Sequence, residues 1–256
     1  MSAQRTGWSR RVQTTGETPV ARMAETAMSR KGSHMPDALI FDFDGVVVDS
    51  EPLHMRGFQQ VLREVGIELT RDEYYARYIG FDDRDCYKHV LLDHGQPADA
   101  ALVARLIEEK SKIVRELLRR EVKPLSGAIE LMRAARADHC GVAICSGSRR
   151  DEIDLAGAAV GVLAYVDVIV SADDVSRGKP DPQGYRLAVT ELSRKLSRPM
   201  APGRCWAIED APAGVVAAKA VGCKTIAVTN SYPASGLRDA DRVVTSLEDV
   251  RLAELF

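Results

Sequence analysis

From Pro36 onward the chain alternates between short apolar runs and amphipathic stretches. Runs of strand character lie at Leu39–Phe43, Val142–Cys145, Asp167–Val170, Trp206–Ile208, Thr225–Val228 and Arg242–Val244. They are almost continuously apolar, as parallel strands covered on both faces should be. Helical patterns separate the later runs, at Ala128–Ala137, Asp151–Ala159, Gln183–Leu196 and Ala213–Ala220. This βαβ alternation predicts an α/β fold with a doubly wound parallel sheet. In such folds ligands bind beyond the carboxyl ends of the strands.

The first two strands are separated by a long segment that no simple crossover needs. It reads as helices at about Leu53–Val65, Arg71–Ile79, Asp83–His94 and Ala100–Glu121, with Leu102, Leu106, Ile113 and Leu117 recurring at helical spacing. The boundaries expected from this are 36–51 and 124–256 for the α/β unit and 52–123 for an all-helical insertion. Hinges fall near Ser50-Glu51-Pro52 and Val122-Lys123-Pro124. Residues 1–35 differ from both. They lack apolar periodicity and are basic, and Gly32-Ser33-His34-Met35 has the look of a vector-derived scar. The segment reads as a disordered leader or a vector-derived one, outside the fold.

Several strand ends carry chemistry. The first apolar run passes into Asp42-Phe43-Asp44-Gly45. A side-chain period of two would send both carboxylates off the same face of the strand. Two acids that close repel unless a cation or a shared proton holds them, and Mg²⁺ takes hard oxygen ligands of this kind. The bland alternative is a polar loop after a buried strand. Ile144-Cys145-Ser146-Gly147 is a second apolar run, ending in small residues. Arg177-Gly178-Lys179-Pro180-Asp181-Pro182 sets a lysine beside a rigid turn, and Trp206-Ala207-Ile208-Glu209-Asp210 is a further strand ending in acids. Ser146 could instead cap the following helix, as could Glu209-Asp210 at Ala213.

The order Asp-x-Asp, Ser, Lys, Glu-Asp, in these contexts, resembles the haloacid dehalogenase superfamily from about Ala38 to the C-terminus. Asp210-Ala211-Pro212-Ala213-Gly214 and Lys179-Pro180-Asp181-Pro182 are similar to its β-phosphoglucomutase-like branch, which includes many sugar-phosphate and phosphoglycolate phosphatases. The resemblance implies that Asp42 is a nucleophile forming an aspartyl-phosphate and that Asp44 is the general acid/base. Ser146 and Lys179 would bind the transferring phosphoryl group, helped by Gly147 and by main-chain N–H groups near Phe43, Gly45 and Gly147. The implied Mg²⁺ ligands are Asp42, Asp44 through its main-chain carbonyl, Asp210, and Glu209 directly or through water. The helical insertion resembles the branch's cap domain, a lid that excludes water on closing.

In the cap, Gly80-Phe81-Asp82-Asp83-Arg84 is similar to the segment whose arginine reads the substrate. In β-phosphoglucomutases that arginine lies three residues after the glycine; here Asp83 takes the place and Arg84 follows. Arg84 is therefore the substrate-binding candidate in the cap, together with His54 near the hinge, which could equally be a packed residue. Lys110 and Lys112 could face the cleft or form a solvated face. The implied reaction is Mg²⁺-dependent hydrolysis of a small phosphorylated metabolite. A phosphosugar mutase would use the same core motifs. A 2-haloacid dehalogenase would not need Asp44, Glu209 and Asp210, and a binding module would be expected to have lost one of the motif residues.

Composition narrows this further. Hydrophobic residues make up 45% and charged residues 28% of the 256, ordinary for a globular chain. The formal net charge of −2 gives no long-range attraction to nucleic acid or to an anionic membrane. The five cysteines show no metal-ligand spacing and suit a reducing, cytoplasmic compartment. The expected partner is a small phosphorylated substrate, with no nucleic acid and no membrane, for a monomer or a homodimer.

Overall fold

The structure, a computed structural model, describes residues 35–79 and 81–255; the expected leader, up to His34, lies outside them. Six strands form one sheet: β1 (Ala38–Phe41), β2 (Gly141–Cys145), β3 (Val168–Val170), β4 (Cys205–Glu209), β5 (Lys224–Val228) and β6 (Arg242–Val244). Every pairing is parallel and the order is β3-β2-β1-β4-β5-β6. The expected doubly wound α/β fold is present. The chain reverses direction across the sheet between β1 and β4, which opens a crevice at their carboxyl ends.

The period of two along the central strands divides the sheet into two cores. Leu39 and Phe41 of β1, Val142 and Ile144 of β2, and Trp206 and Ile208 of β4 face one side. There they meet α5 (Ala128–Ala137) and α6 (Arg150–Val160) through Leu131, Met132, Ala135, Ile153 and Ala156. The opposite face is made of smaller side chains, Ala38, Ala143, Cys145, Cys205 and Ala207. Small residues let α7 (Gln183–Lys195) and α8 (Pro212–Val221) lie close, so that Tyr185, Ala188, Leu192, Ala217 and Ala218 fill this side. All five cysteines are free and buried, where a thiol behaves as a small hydrophobe.

Four helices form the insertion between β1 and α5: α1 (Glu51–Arg63), α2 (Arg71–Arg77), α3 (Asp83–Asp93) and α4 (Ala100–Glu121). They have an apolar core of their own around Phe58, Leu62, Tyr74, Tyr87, Leu91 and Leu106. The buried line of α4 runs Val103, Leu106, Lys110, Val114, Leu118. Leu102, Ile113 and Leu117, expected in that pattern, are only partly buried beside it. Val114 and Leu118 belong to the sheet core, so α4 ties the insertion to the α/β unit. No helix among the described residues is long and apolar enough to cross a membrane.

Candidate active site

β1 is shorter than the apolar run suggests, ending at Phe41 instead of Phe43. Asp42 still donates its N–H to Ile208 O at 2.8 Å. The chain then turns: Phe43 O accepts from Val47 and Val48, and Gly45 takes φ +74°. That conformation favours glycine, and a β-carbon at Gly45 would fall 1.8 Å from Asp210 Oδ2. The strand period therefore does not reach Asp44, and the two carboxylates do not share one face. Gly45 also commits its N–H to Val48 O at 2.9 Å, so this N–H cannot serve as the expected phosphoryl donor.

Asp42 points along the sheet toward β4. Lys179 Nζ donates to Asp42 Oδ1 at 2.6 Å and to Glu209 Oε1 at 2.6 Å. The lysine precedes Pro180 across a cis peptide bond. Glu209 is wholly buried and also accepts from the Tyr185 hydroxyl. Ser231, in the loop after β5, donates to Asp210 Oδ2. Neither acid caps α8, whose N-cap is Ala211 without a side-chain bond. A β-carbon at Gly214 would lie 2.0 Å from the Glu209 carboxyl, so glycine in the first turn of α8 is what makes room for that group.

Carboxylate oxygens of Asp42, Glu209 and Asp210 lie within 4.8 Å of one another. Burial is the largest influence on both aspartates. It pushes Asp42 well above its usual range and Asp210 up to about 7, and the neighbouring acids push the same way against Lys179. Glu209 Oε2 is buried without a hydrogen-bond partner. An orphaned buried carboxylate oxygen among three crowded acids with one lysine calls for a further cation. The all-oxygen donor set fits a hard divalent ion such as Mg²⁺.

Asp44 faces the other way. Ser50 Oγ donates to its Oδ1 at 2.5 Å, and Ser148 Oγ and Ser146 Oγ donate to its Oδ2 at 2.5 and 3.3 Å. Its carboxylate stands outside the acidic group, and the expectation of Asp44 as a ligand rests on its main-chain carbonyl alone. Ser146 does not cap the next helix. Its hydroxyl accepts from Ser148 N–H at 2.9 Å and closes the turn after β2. Motif reading does not find Ser50, Tyr185 and Ser231, nor the bond from Ser148 to Asp44.

A cavity of about 640 Å³ opens beside Lys179; Asp42, Asp44, Glu209 and Asp210 are not on its lining. Ser146, Gly147 and Lys179 line it together with Asp82 and Arg84 of the insertion. Such a volume is ordinary for a small-molecule site. Arg84 is exposed and is thus brought to the same space as Lys179. His54 is not on this lining; its Nδ1 lies 3.2 Å from Lys110 Nζ, and burial, then the lysine, lowers its pKa to about 4. Lys112 is solvated and paired with Glu109 at 2.8 Å, whereas Lys110 is buried. Arg149 is exposed and paired with Asp151.

Residues 39–228 match the family model of haloacid dehalogenase-like hydrolases. The chain belongs to that family. A validoxylamine A 7'-phosphate phosphatase from Streptomyces hygroscopicus subsp. limoneus is 30% identical over 212 residues, 83% of this chain and 94% of the relative. Hexitol phosphatase A of Escherichia coli is 30% identical over 218 residues, 84% of this chain and 93% of the relative. Among solved structures, CbbY from Rhodobacter sphaeroides in complex with phosphate is similar at a TM-score of 0.72 and 25% identity. It covers 84% of this chain and 96% of its own. For a hydrolase of this family, the floor built from Asp42, Lys179, Glu209 and Asp210 is the candidate reaction centre.

Proposed function

We propose that the protein is a phosphoric monoester hydrolase acting on a small phosphorylated carbohydrate or a similar metabolite, with Mg²⁺ as its cofactor. The observation that carries this reading is the different setting of the two aspartates. Asp42 sits against a partly buried lysine within the acidic group, while Asp44 is held apart by three serine hydroxyls. This difference supports the reading of Asp42 as the attacking carboxylate and of Asp44 as the one that exchanges a proton.

In this scheme Ser146, Gly147 and Lys179 hold the phosphoryl oxygens on the side of the cavity they line. A carboxylate oxygen of Asp42 attacks phosphorus, and the bond from phosphorus to the ester oxygen breaks. Asp44 gives that oxygen its proton and is left as the carboxylate. Asp44 then takes a proton from water as the water oxygen attacks the aspartyl-phosphate. Inorganic phosphate leaves and Asp42 is restored. Mg²⁺ bound by Asp42, Glu209 and Asp210, with the Asp44 carbonyl, would neutralise charge on the transferring group. The helical insertion acts as the cap: it supplies Arg84 to the cavity and keeps bulk water from the intermediate.

Three of the relatives are named validoxylamine A 7'-phosphate phosphatase, phosphorylated carbohydrates phosphatase and hexitol phosphatase A, which supports water over a sugar hydroxyl as the final acceptor. The test is phosphate release across a panel of sugar and polyol monophosphates, with Mg²⁺ and with EDTA. The expected result is metal-dependent release from a few of them. Conversion of β-glucose 1-phosphate to glucose 6-phosphate without phosphate release, given a bisphosphate primer, would replace the reading with that of a mutase.

A further inference from the structure

The acidic group has a feature that the reaction scheme leaves unused. Each of its three carboxylates commits one oxygen to a donor of the protein. Asp42 Oδ1 and Glu209 Oε1 both accept from Lys179 at 2.6 Å, and Glu209 Oε1 accepts from the Tyr185 hydroxyl as well. Asp210 Oδ2 accepts from Ser231 Oγ. The other oxygen of Glu209 is buried and without a partner. Among the described residues this leaves one oxygen of each acid uncommitted.

The hold on Asp210 is the tightest of the three. Ser231 stands in the loop after β5, and its neighbour Asn230 donates from Nδ2 to Gly45 O at 2.8 Å. A carbonyl only accepts, so the amide nitrogen must face it. Two adjacent residues thus tie the loop after β5 both to the turn after β1 and to the end of β4. A β-carbon at Gly45 would fall 1.8 Å from Asp210 Oδ2 and 2.9 Å from Ser231 Oγ. The main chain at Gly45, the carboxylate and the hydroxyl are therefore packed against one another, and Oδ2 has no room to turn.

An oxygen fixed in this way is a poor second ligand. Ca²⁺ takes about six to eight oxygens in flexible geometry and can chelate through both oxygens of a carboxylate, whereas Mg²⁺ demands a near-ideal octahedron and keeps several waters. We propose that Ser231 is a metal-selectivity residue. By holding Asp210 Oδ2 against the Gly45 turn it restricts Asp210 to a single ligand oxygen, which favours Mg²⁺ over Ca²⁺. Asn230 fixes the loop from which Ser231 acts. Ser231 is a positioning residue, since it works through Asp210. The inference rests on the acidic group being the Mg²⁺ site of the proposed function, but metal binding tests it without turnover.

The probes are Mg²⁺ and Ca²⁺ alone, each displacing Mn²⁺ from the protein in phosphate-free buffer, with the paramagnetic resonance of free Mn²⁺ as the signal. The parent protein should bind Mg²⁺ more tightly than Ca²⁺, and Asp210→Asn should weaken both. Ser231→Ala should shift the ratio of the two dissociation constants toward Ca²⁺ by about ten-fold, the lower end of what losing a hydrogen-bond partner of a metal ligand costs in affinity. Ser231→Thr keeps the hydroxyl and should keep the parent ratio. Asn230→Ala should move the ratio in the same direction as Ser231→Ala, by less. A merely structural role for Ser231 would lower the urea midpoint of the metal-free protein and leave the ratio unmoved. An unchanged ratio on Ser231→Ala, an equal shift on Ser231→Thr, a parent protein that prefers Ca²⁺, or metal binding that survives Asp210→Asn overturns the inference. The expected ratios in a protein that releases no phosphate from any monoester would overturn the phosphatase reading and leave the inference standing.

Discussion

Each part of the molecule sets a lysine among polar partners, Lys110 almost wholly buried and Lys179 only partly so, and their surroundings differ. Lys179 in the α/β unit bonds Asp42 and Glu209 and lies 5.4 Å from the Tyr185 ring centroid. Lys110 in the insertion bonds Asp83 and His54 and lies 4.0 Å from that of Phe58. Both rest on an aromatic face, as a desolvated ammonium does. Lys179, however, is surrounded by carboxylates in excess, anchored at the ends of two adjacent strands. Burial works against its charge, but Asp42 and Glu209 outweigh burial and raise its pKa. Lys110 has a single carboxylate, from a helix start at the cavity rim, and a neutral imidazole. The first arrangement leaves negative charge over for a metal; the second is close to balanced and leaves nothing over for an anion.

The largest effects should come from the sheet side. Asp42→Asn should lower phosphate release by about 10⁴-fold or more, since it removes the attacking group. Asp44→Asn should cost roughly 10²- to 10⁴-fold, the range for a positioned acid/base. Both variants should keep the fold, seen as unchanged circular dichroism. Turnover by Asp44→Asn at the parent rate would remove Asp44 from the scheme.

Stability should divide the two lysines next. Lys179→Met strands Asp42 and Glu209 in a buried site, and breaking such a pairing costs about 3–5 kcal/mol. Lys110→Met strands only Asp83, whose side chain is 37% exposed and can turn to water; about 1–2 kcal/mol is expected. Urea unfolding without Mg²⁺ measures both. A larger loss for Lys110→Met than for Lys179→Met would break the comparison. Excess Mg²⁺ should offset little of the Lys179→Met loss if the metal cannot reach the space the ammonium leaves.

The contrast also explains what could be read from the chain. Asp42, Glu209 and Asp210 end or follow an apolar strand and Lys179 precedes a proline-marked turn, so local pattern marks them and topology brings them together. Ser148 and Tyr185 reach their carboxylates from 104 and 24 residues away, and Ser231 from 21. Serine and tyrosine in loops and helices carry no periodic signal, so nothing local announced those bonds. The course of β1 was misjudged because apolar content cannot show where a glycine with positive φ turns the chain. Lys110 did leave a trace: it falls at i+4 from Leu106 and i−4 from Val114, inside the buried stripe of α4. A lysine at an apolar position of a helix needs a buried partner, but the partners, Asp83 and His54, lie on other helices and only packing identifies them.

The smallest expected effect concerns pH and two of the titrating neighbours of Lys110, His54 and Glu152. Burial, and then Lys110, lowers His54 from 6.5 to about 4. The unfolded chain therefore takes up a proton that the folded protein refuses, and this contribution to stability is lost as pH falls from about 6.5 toward 4. Burial raises Glu152 from 4.5 to about 7, with Asp44 and Asp83 pushing the same way against Lys110. Its contribution is fully present below about 4.5 and is lost as pH rises through 7. The two slopes are opposite over nearly the same window, so removing either group should expose the other. Relative to the parent protein, His54→Asn should gain stability between pH 6.5 and 4.5, and Glu152→Gln should gain it between pH 4.5 and 7, each by about 1–3 kcal/mol. Denaturant midpoints across that range read both. Parallel shifts in the two variants would mean that the cluster around Lys110 does not titrate as a balanced group, and that the insertion, unlike the strand ends, is not electrostatically poised near neutrality.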